Sequence, residues 1–235
     1  MIDKKIKILI ISLTVIICIY LYFKYTNQSE FSYIKSAYDD KSYIVRNLPD
    51  KDRAVEHLSK IRNCLDQVVN NLCIKYDINN IQTSSSDHQY PEGFNQGFNQ
   101  VSNNTADNKN KNAVIDKNII SGIKRLKKNY NGDVIAESPK NSGSTSYSIN
   151  KGEKIYLCIR QRNQQDELVD LNTITFVALH ELAHLMTKSV GHTEEFWNNF
   201  KFILQEAIND GLYQYQDFRK NPVKYCGTLI ADTPL

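Results

Sequence analysis

"HELAHLMTKSVGHTEEFW", residues 180–197, carries three of the chain's five histidines and its only tryptophan. In an α-helix, residues four apart differ by about 40° around the axis and about 6 Å along it. His180 and His184 therefore leave one helix face at a separation that two imidazoles can close onto a single tetrahedral zinc ion. Glu181 lies about 100° round from His180, where it can reach a water as general base without being forced to ligate. A catalytic zinc site needs a third protein ligand and one open position. Gly191 followed by His192 can turn the chain back to supply that ligand, and its rival is a carboxylate from Glu194, Glu195 or Glu206.

The flanks raise the specificity of this short motif. Phe176, Val177, Ala178, Leu179, Leu182, Ala183, Leu185 and Met186 make the segment apolar nearly all round, so its helix is expected to be buried. Two histidines and a glutamate in such a helix must be satisfied, and a metal site satisfies all three. Asn172 or Thr173 is the expected N-cap and Gly191 the expected break, after which Thr193 can cap a helix carrying Phe196, Trp197, Phe200, Ile203, Leu204, Ala207 and Ile208. Upstream, "SGSTSYSINKGEKIYLCIR" (142–160) alternates Tyr147 and Ile149, then Ile155, Leu157 and Ile159, around Asn150-Lys151-Gly152, which is a β-hairpin signal.

This arrangement resembles the active-site segment of zincin metalloproteases of the WLM and SprT-like (Spartan) group. Those families place HExxH on a helix, a third histidine after a short loop, and an aromatic pair soon after it; His180, Glu181, His184, His192, Phe196 and Trp197 stand at these places. Eight positions separate His184 from His192, more than in the compact WLM pattern. The resemblance implies an α+β fold with a short, mostly antiparallel sheet beside the metal helix. It also implies Zn2+ as cofactor, Glu181 as general base, and an edge strand that pairs with an extended protein or peptide substrate. Tyr213, Tyr215 and Tyr225 follow the motif and are candidates to polarise the scissile carbonyl. The work on protein–DNA crosslinks associated with those families does not carry over. A formal net charge of +3, no zinc-ribbon spacing and no aromatic-basic interleaving predict no nucleic-acid partner. The basic cluster Lys124, Arg125, Lys127 and Lys128 reads as a solvated helix face.

The other end of the chain is apolar. "MIDKKIKILIISLTVIICIYLYFKY" (1–25) runs from Ile8 to Phe23 with Ser12 and Thr14 as its polar interruptions, flanked by lysines that can snorkel to headgroups. Tyr20, Tyr22 and Phe23 suit an interfacial belt better than a cleavage site, so the segment reads as an uncleaved transmembrane anchor. The lysines before it predict a cytoplasmic N-terminus and a lumenal or external domain. The layout of anchor, "HELAH", "GHTEEFW" and late "YCG" is also similar to uncharacterised membrane proteins of large DNA viruses. An alternative role follows: a non-catalytic virion or envelope protein with a zincin-like ectodomain.

Residues 26–47 read as a juxtamembrane connector and 48–235 as the metalloprotease domain. Within it, Val55, Leu58, Ile61, Leu65, Val68, Leu72 and Tyr76 set out one stripe of a scaffold helix over 50–76, with His57 beside the stripe as an ordinary histidine. Residues 79–112 are Asn/Gln-rich and read as a polar mobile loop, His88 included, with a helix over 114–129 after it. Outside the anchor stand Cys64, Cys73, Cys158 and Cys226. Nine residues of helix separate Cys64 from Cys73 by about 13.5 Å, beyond the ~7 Å a disulfide spans. Bridges from each of them to Cys158 and Cys226, or four free thiols, are the two readings. Sequons at Asn27 and Asn103 fit an external domain.

Overall fold

The computed structural model describes residues 4–26, 30–78 and 107–235, and it is an α+β structure. Helix α1 (Lys4–Thr26) is long and apolar enough to cross a membrane, and the described apolar side chains along it, from Ile10 to Leu21, are exposed. Five strands form one sheet: β1 (Phe31–Lys35), β2 (Ser42–Arg46), β3 (Ile135–Glu137), β4 (Tyr147–Ile149) and β5 (Lys154–Leu157), in the order β1-β2-β3-β5-β4. The outer pairs are antiparallel, whereas β2–β3 and β3–β5 are parallel. The sheet is thus mixed rather than mostly antiparallel, and the expected connector supplies two of its strands. A second sheet pairs β6 (Val223–Tyr225) with β7 (Thr228–Ile230).

Strand periodicity sets the core side. Tyr43 and Val45 on β2, Ile135 on β3, and Ile155 and Leu157 on β5 are buried on one face. Helix α2 (Lys51–Lys75) lays its stripe there, with Val55, Leu58, Ile61, Leu65, Val68 and Leu72 all buried. Each such side chain is worth about 1.5–3 kcal/mol by burial. Helix α3 (Asp107–Asn129) starts earlier than the expected residue 114, so the tail of the predicted loop is helical; its remainder, with His88 and Asn103, and the Asn27 sequon lie outside the described residues. Helices α4 (Leu171–Met186) and α5 (Glu194–Asn209) complete the layer.

A buried charge cluster fixes the parallel strands. Glu137 accepts from Arg46 N at 2.7 Å and from Arg160 Nε at 3.0 Å, and Arg160 Nη1 also reaches Asp50 at 2.8 Å. Removing one partner would strand a buried charge. The disulfide joins Cys158 to Cys226, with Cys64 and Cys73 free, which corrects both cysteine readings. Cys158 follows β5 and Cys226 sits in the β6–β7 turn, whereas Cys64 faces Leu212 O.

The β4–β5 turn docks on the helices. Asn150, Lys151 and Gly152 all have positive φ, and a Cβ on Gly152 would overlap Asn129 O at the end of α3. Gly152→Ala combines this overlap with a left-handed backbone, so we expect a loss of about 2 kcal/mol or more, measured as a lower urea midpoint with unchanged slope. A neutral result would show that the turn is not seated on α3.

Candidate functional site

Helix α4 begins where the Asp170 carboxylate accepts from Thr173 N at 2.9 Å, one of the unpaired donors of the first turn. Asp170 is therefore the cap, since Asn172 instead exchanges hydrogen bonds with the Gln214 backbone. The helix ends at Met186, earlier than Gly191, because Thr187 Oγ1 turns back onto Ala183 O. Thr193 caps α5 as expected, accepting from Phe196 N.

The three histidines of the opening motif meet. His180 Nε2 lies 3.1 Å from His184 Nε2 and 3.1 Å from His192 Nε2, and the ligand atoms of all three fall within 4.8 Å of one another. Three nitrogens on one tetrahedral zinc at ~2.0–2.1 Å would stand about 3.3 Å apart, so the donor set fits that ion. Phe196 packs against all three rings, at 4.8 Å from His180, 4.3 Å from His184 and 4.7 Å from His192. Burial, then the neighbouring imidazoles, pushes His180 down to about 3. Burial likewise brings His184 down to about 4, helped by His192 and Lys151. Both rings are held neutral, the form that can ligate a metal.

Glu181 is 3% exposed and its Oε2 has no hydrogen-bond partner among the described residues. Burial lifts its carboxyl to about 7, and hydrogen bonds from Ser148 on β4 offset part of that rise. This contact crosses the free edge of β4, the outermost strand of the sheet. A groove of about 920 Å³ runs along that edge, floored by His180, Glu181 and His184, walled by Tyr147 and Ser148 on one side and Val190 to His192 on the other. Tyr225 and Leu229 close one end.

Of the three candidate tyrosines, Tyr225 is in the groove, its hydroxyl 2.7 Å from Ser146 Oγ. Burial and the nearby Glu181 carboxylate push its pKa up. Tyr213 packs on Phe176 in the core, and Tyr215 is exposed elsewhere. The rival carboxylate ligands are otherwise engaged. Glu206 pairs with Lys75 at 2.7 Å, and Glu195 holds the 188–189 backbone. Glu194 and His57 are not in the cluster.

The sequence reading missed the groups that hold the His192 loop. Glu195 accepts from Lys188 N at 2.9 Å and from Ser189 N at 3.1 Å, and pairs with Arg125 at 3.1 Å. Arg125 Nε donates to Met186 O at 2.9 Å, while Lys151 Nζ donates to the carbonyls of Thr187, Lys188 and Ser189 at 2.5–3.0 Å. A lysine in a tight turn and an arginine in a basic cluster give no local hint of this task, since both read as solvated charge.

Residues 138–228 match the family model of the WLM domain, a span that contains β4, α4, all three histidines and both disulfide cysteines. Over 220 residues the chain is 29% identical to uncharacterized protein R325 of Acanthamoeba polyphaga mimivirus, covering 94% of this chain and 92% of that protein. It is 39% identical over 98 residues to protein 136R of Invertebrate iridescent virus 6, covering 41% of this chain and 53% of that one. With protein 042R of Invertebrate iridescent virus 3 the identity is 43% over 82 residues, 34% of this chain and 48% of that one. The chain therefore spans about half the length of the two iridescent-virus proteins. The crystal structure of Wss1 from Saccharomyces cerevisiae aligns with 45% of this chain and 84% of its own, at 19% identity and a TM-score of 0.31.

Glu195→Gln keeps the size of the side chain but leaves one acceptor oxygen for two backbone donors, so one of the bonds from Lys188 N and Ser189 N is lost and the other weakened. Supporting residues of this kind typically change metal affinity by about 10–100-fold. For a zinc ion seated on the three histidines, we expect affinity to fall in that range, together with a lower metal-free melting temperature from the lost loop contacts. Equal affinity in the variant would show that Glu195 does not support the histidine cluster.

Proposed function

We propose that this chain is a membrane-anchored zinc-dependent metalloprotease, a zincin of the WLM and SprT-like group, hydrolysing peptide bonds. The observation that carries the reading is the convergence of three imidazole Nε2 atoms beside a buried, unpartnered Glu181 Oε2 along a free strand edge. The WLM match over the same residues supports it.

His180, His184 and His192 would hold the ion through Nε2. When bound, zinc supplies the Lewis acidity that polarises a carbonyl and makes water a nucleophile near neutral pH. The chain's own residues do the rest. β4 offers its open edge to an extended substrate, as in strand addition. Val190 and Leu229, both exposed at the groove, present apolar surface to the substrate's side chains. Glu181 takes the proton of the attacking water at Oε2 and returns it to the leaving amine nitrogen, a task suited to a carboxyl near 7. Tyr225, steadied by Ser146, presents a hydroxyl for the oxyanion that develops at the scissile carbonyl. The anchor would be α1, with a cytoplasmic N-terminus and the domain on the far side; the Cys158–Cys226 bridge is consistent with an oxidising compartment.

The test compares wild type, Glu181→Gln and His180→Ala for metal content and for cleavage of an unstructured protein substrate. One zinc per chain is expected in wild type and Glu181→Gln, with turnover in the latter down by about 10²–10⁴-fold, and no zinc in His180→Ala. Folded wild type without zinc would sink the proposal. Zinc with no hydrolysis by any form would leave the non-catalytic ectodomain reading in its place.

A further inference from the structure

The face of the main sheet opposite the helices carries an apolar row. Register places Tyr33 beside Ile44, Ile44 beside Ala136, Ala136 beside Tyr156, and Tyr156 beside Tyr147, so one line of side chains crosses all five strands. The two tyrosines at its far end stack at 5.1 Å. At the other end Tyr33 is 74% exposed and Ile44 41% exposed, which is unusual for large side chains in mid-strand. The helices that pack on the strands lie on the opposite face, that of Tyr43, Val45, Ile155 and Leu157. The exposed charged strand residues on the outward face are Lys35 and Lys154; Lys35 pairs with Asp40 at 3.0 Å, and Arg46, on the same face but buried, pairs with Asp166 at 2.8 Å. Tyrosine with lysine is the composition of a membrane–water interface.

Chain length says what lies nearby. Four residues separate Thr26, the end of α1, from Phe31, the start of β1. Five Cα steps reach at most about 18 Å, so if α1 spans a bilayer, β1 cannot leave its surface. We infer that the outward sheet face around Tyr33 and Ile44 docks on the headgroup layer of the membrane that α1 crosses. This rests on the membrane-anchored reading of α1. Because β4 is the opposite edge of the same sheet, docking would fix the direction in which the substrate groove opens relative to the bilayer.

The experiment uses the full chain in nanodiscs of phosphatidylcholine, with and without phosphatidylserine, carrying a phospholipid with a photoreactive headgroup. Adducts are mapped by peptide mass spectrometry. Expected are adducts within residues 4–26 and also within 31–46, the latter increased by phosphatidylserine. In Tyr33→Glu and Ile44→Glu the second set should fall about fivefold or more, the effect of about one surface charge, while the first is unchanged. Tyr33→Ser provides the same comparison without added charge should a glutamate variant not fold. Adducts confined to 4–26 overturn the docking and leave the anchor reading standing. No adducts at all, with the chain released to water, overturn both. Adducts within 31–46 that persist unchanged in Tyr33→Glu and Ile44→Glu would overturn the docking of this face, since they would come from the tether alone.

Discussion

Imidazole nitrogens held 3.1 Å apart can coexist only while the rings stay largely uncharged, because two imidazolium groups at that distance repel strongly in a groove of low polarity. Burial of α4 supplies the condition. Ala178, Leu179, Leu182, Ala183 and Leu185 are fully buried, so the helix cannot rotate its histidines out to water without exposing its core face. Phe196 and Phe200 then wall the rings from the α5 side. The desolvation that keeps His180 and His184 neutral also raises Glu181, so one environment leaves two uncharged imidazoles beside a carboxyl that holds its proton up to about neutral pH.

The length of the segment from His184 to His192 poses a separate physical problem. Past Met186 the helix is over, and a loop with Gly191 at positive φ must still deliver His192 to the other two rings. Its backbone groups are taken up from three directions: Arg125 on α3, Lys151 in the β4–β5 turn, and Glu195 in the first turn of α5. The Arg125–Glu195 pair is part exposed and worth little by itself. Hydrogen bonds from charged groups to the backbone are worth more, about 1.5–3 kcal/mol each. This is why packing far from the histidines bears on them. The seat of Gly152 against Asn129 fixes the turn that carries Lys151, and the same Asn129 donates to Leu185 O at the end of α4.

What could be read from the sequence was what short-range periodicity encodes. The α2 stripe, the 147–157 hairpin, Thr193 as a cap and the common face of His180 and His184 all depend on spacings of two to four residues. The failures involve distant partners. β1 and β2 looked like a connector because their place in the sheet depends on the pairing of Ile44 with Ala136, which no local pattern announces. The cap of α4 was misplaced by a few residues because Asp170, Asn172 and Thr173 are all good capping types, and the choice was made by Gln214 drawing Asn172 away. Helix geometry excluded Cys64–Cys73, but nothing in the spacing says that the β6–β7 turn returns to the end of β5.

That return shapes the groove. β6 and β7 are three residues each, and a two-stranded sheet of that size is marginal alone in water. Yet Tyr225, Leu229 and Ile230 line the same groove as β4, although the two belong to separate sheets. The hairpin is held by the Cys158–Cys226 bond, by the hydrogen bond between Tyr225 and Ser146, and by Gln161, which donates to Lys224 O at 2.9 Å and accepts from Cys226 N at 3.0 Å; Cys158 N in turn donates to Ser146 Oγ at 3.0 Å. Ser146 immediately precedes β4, so the bridge, the tyrosine and the edge strand form one connected unit. Closing a loop across a sequence separation of 68 is worth about 4 kcal/mol in chain entropy, which adds to the burial of Tyr225. The covalent bond therefore ties the position of Tyr225 to the main sheet, and a hydroxyl carried on an otherwise marginal hairpin is held in the groove against Ser146.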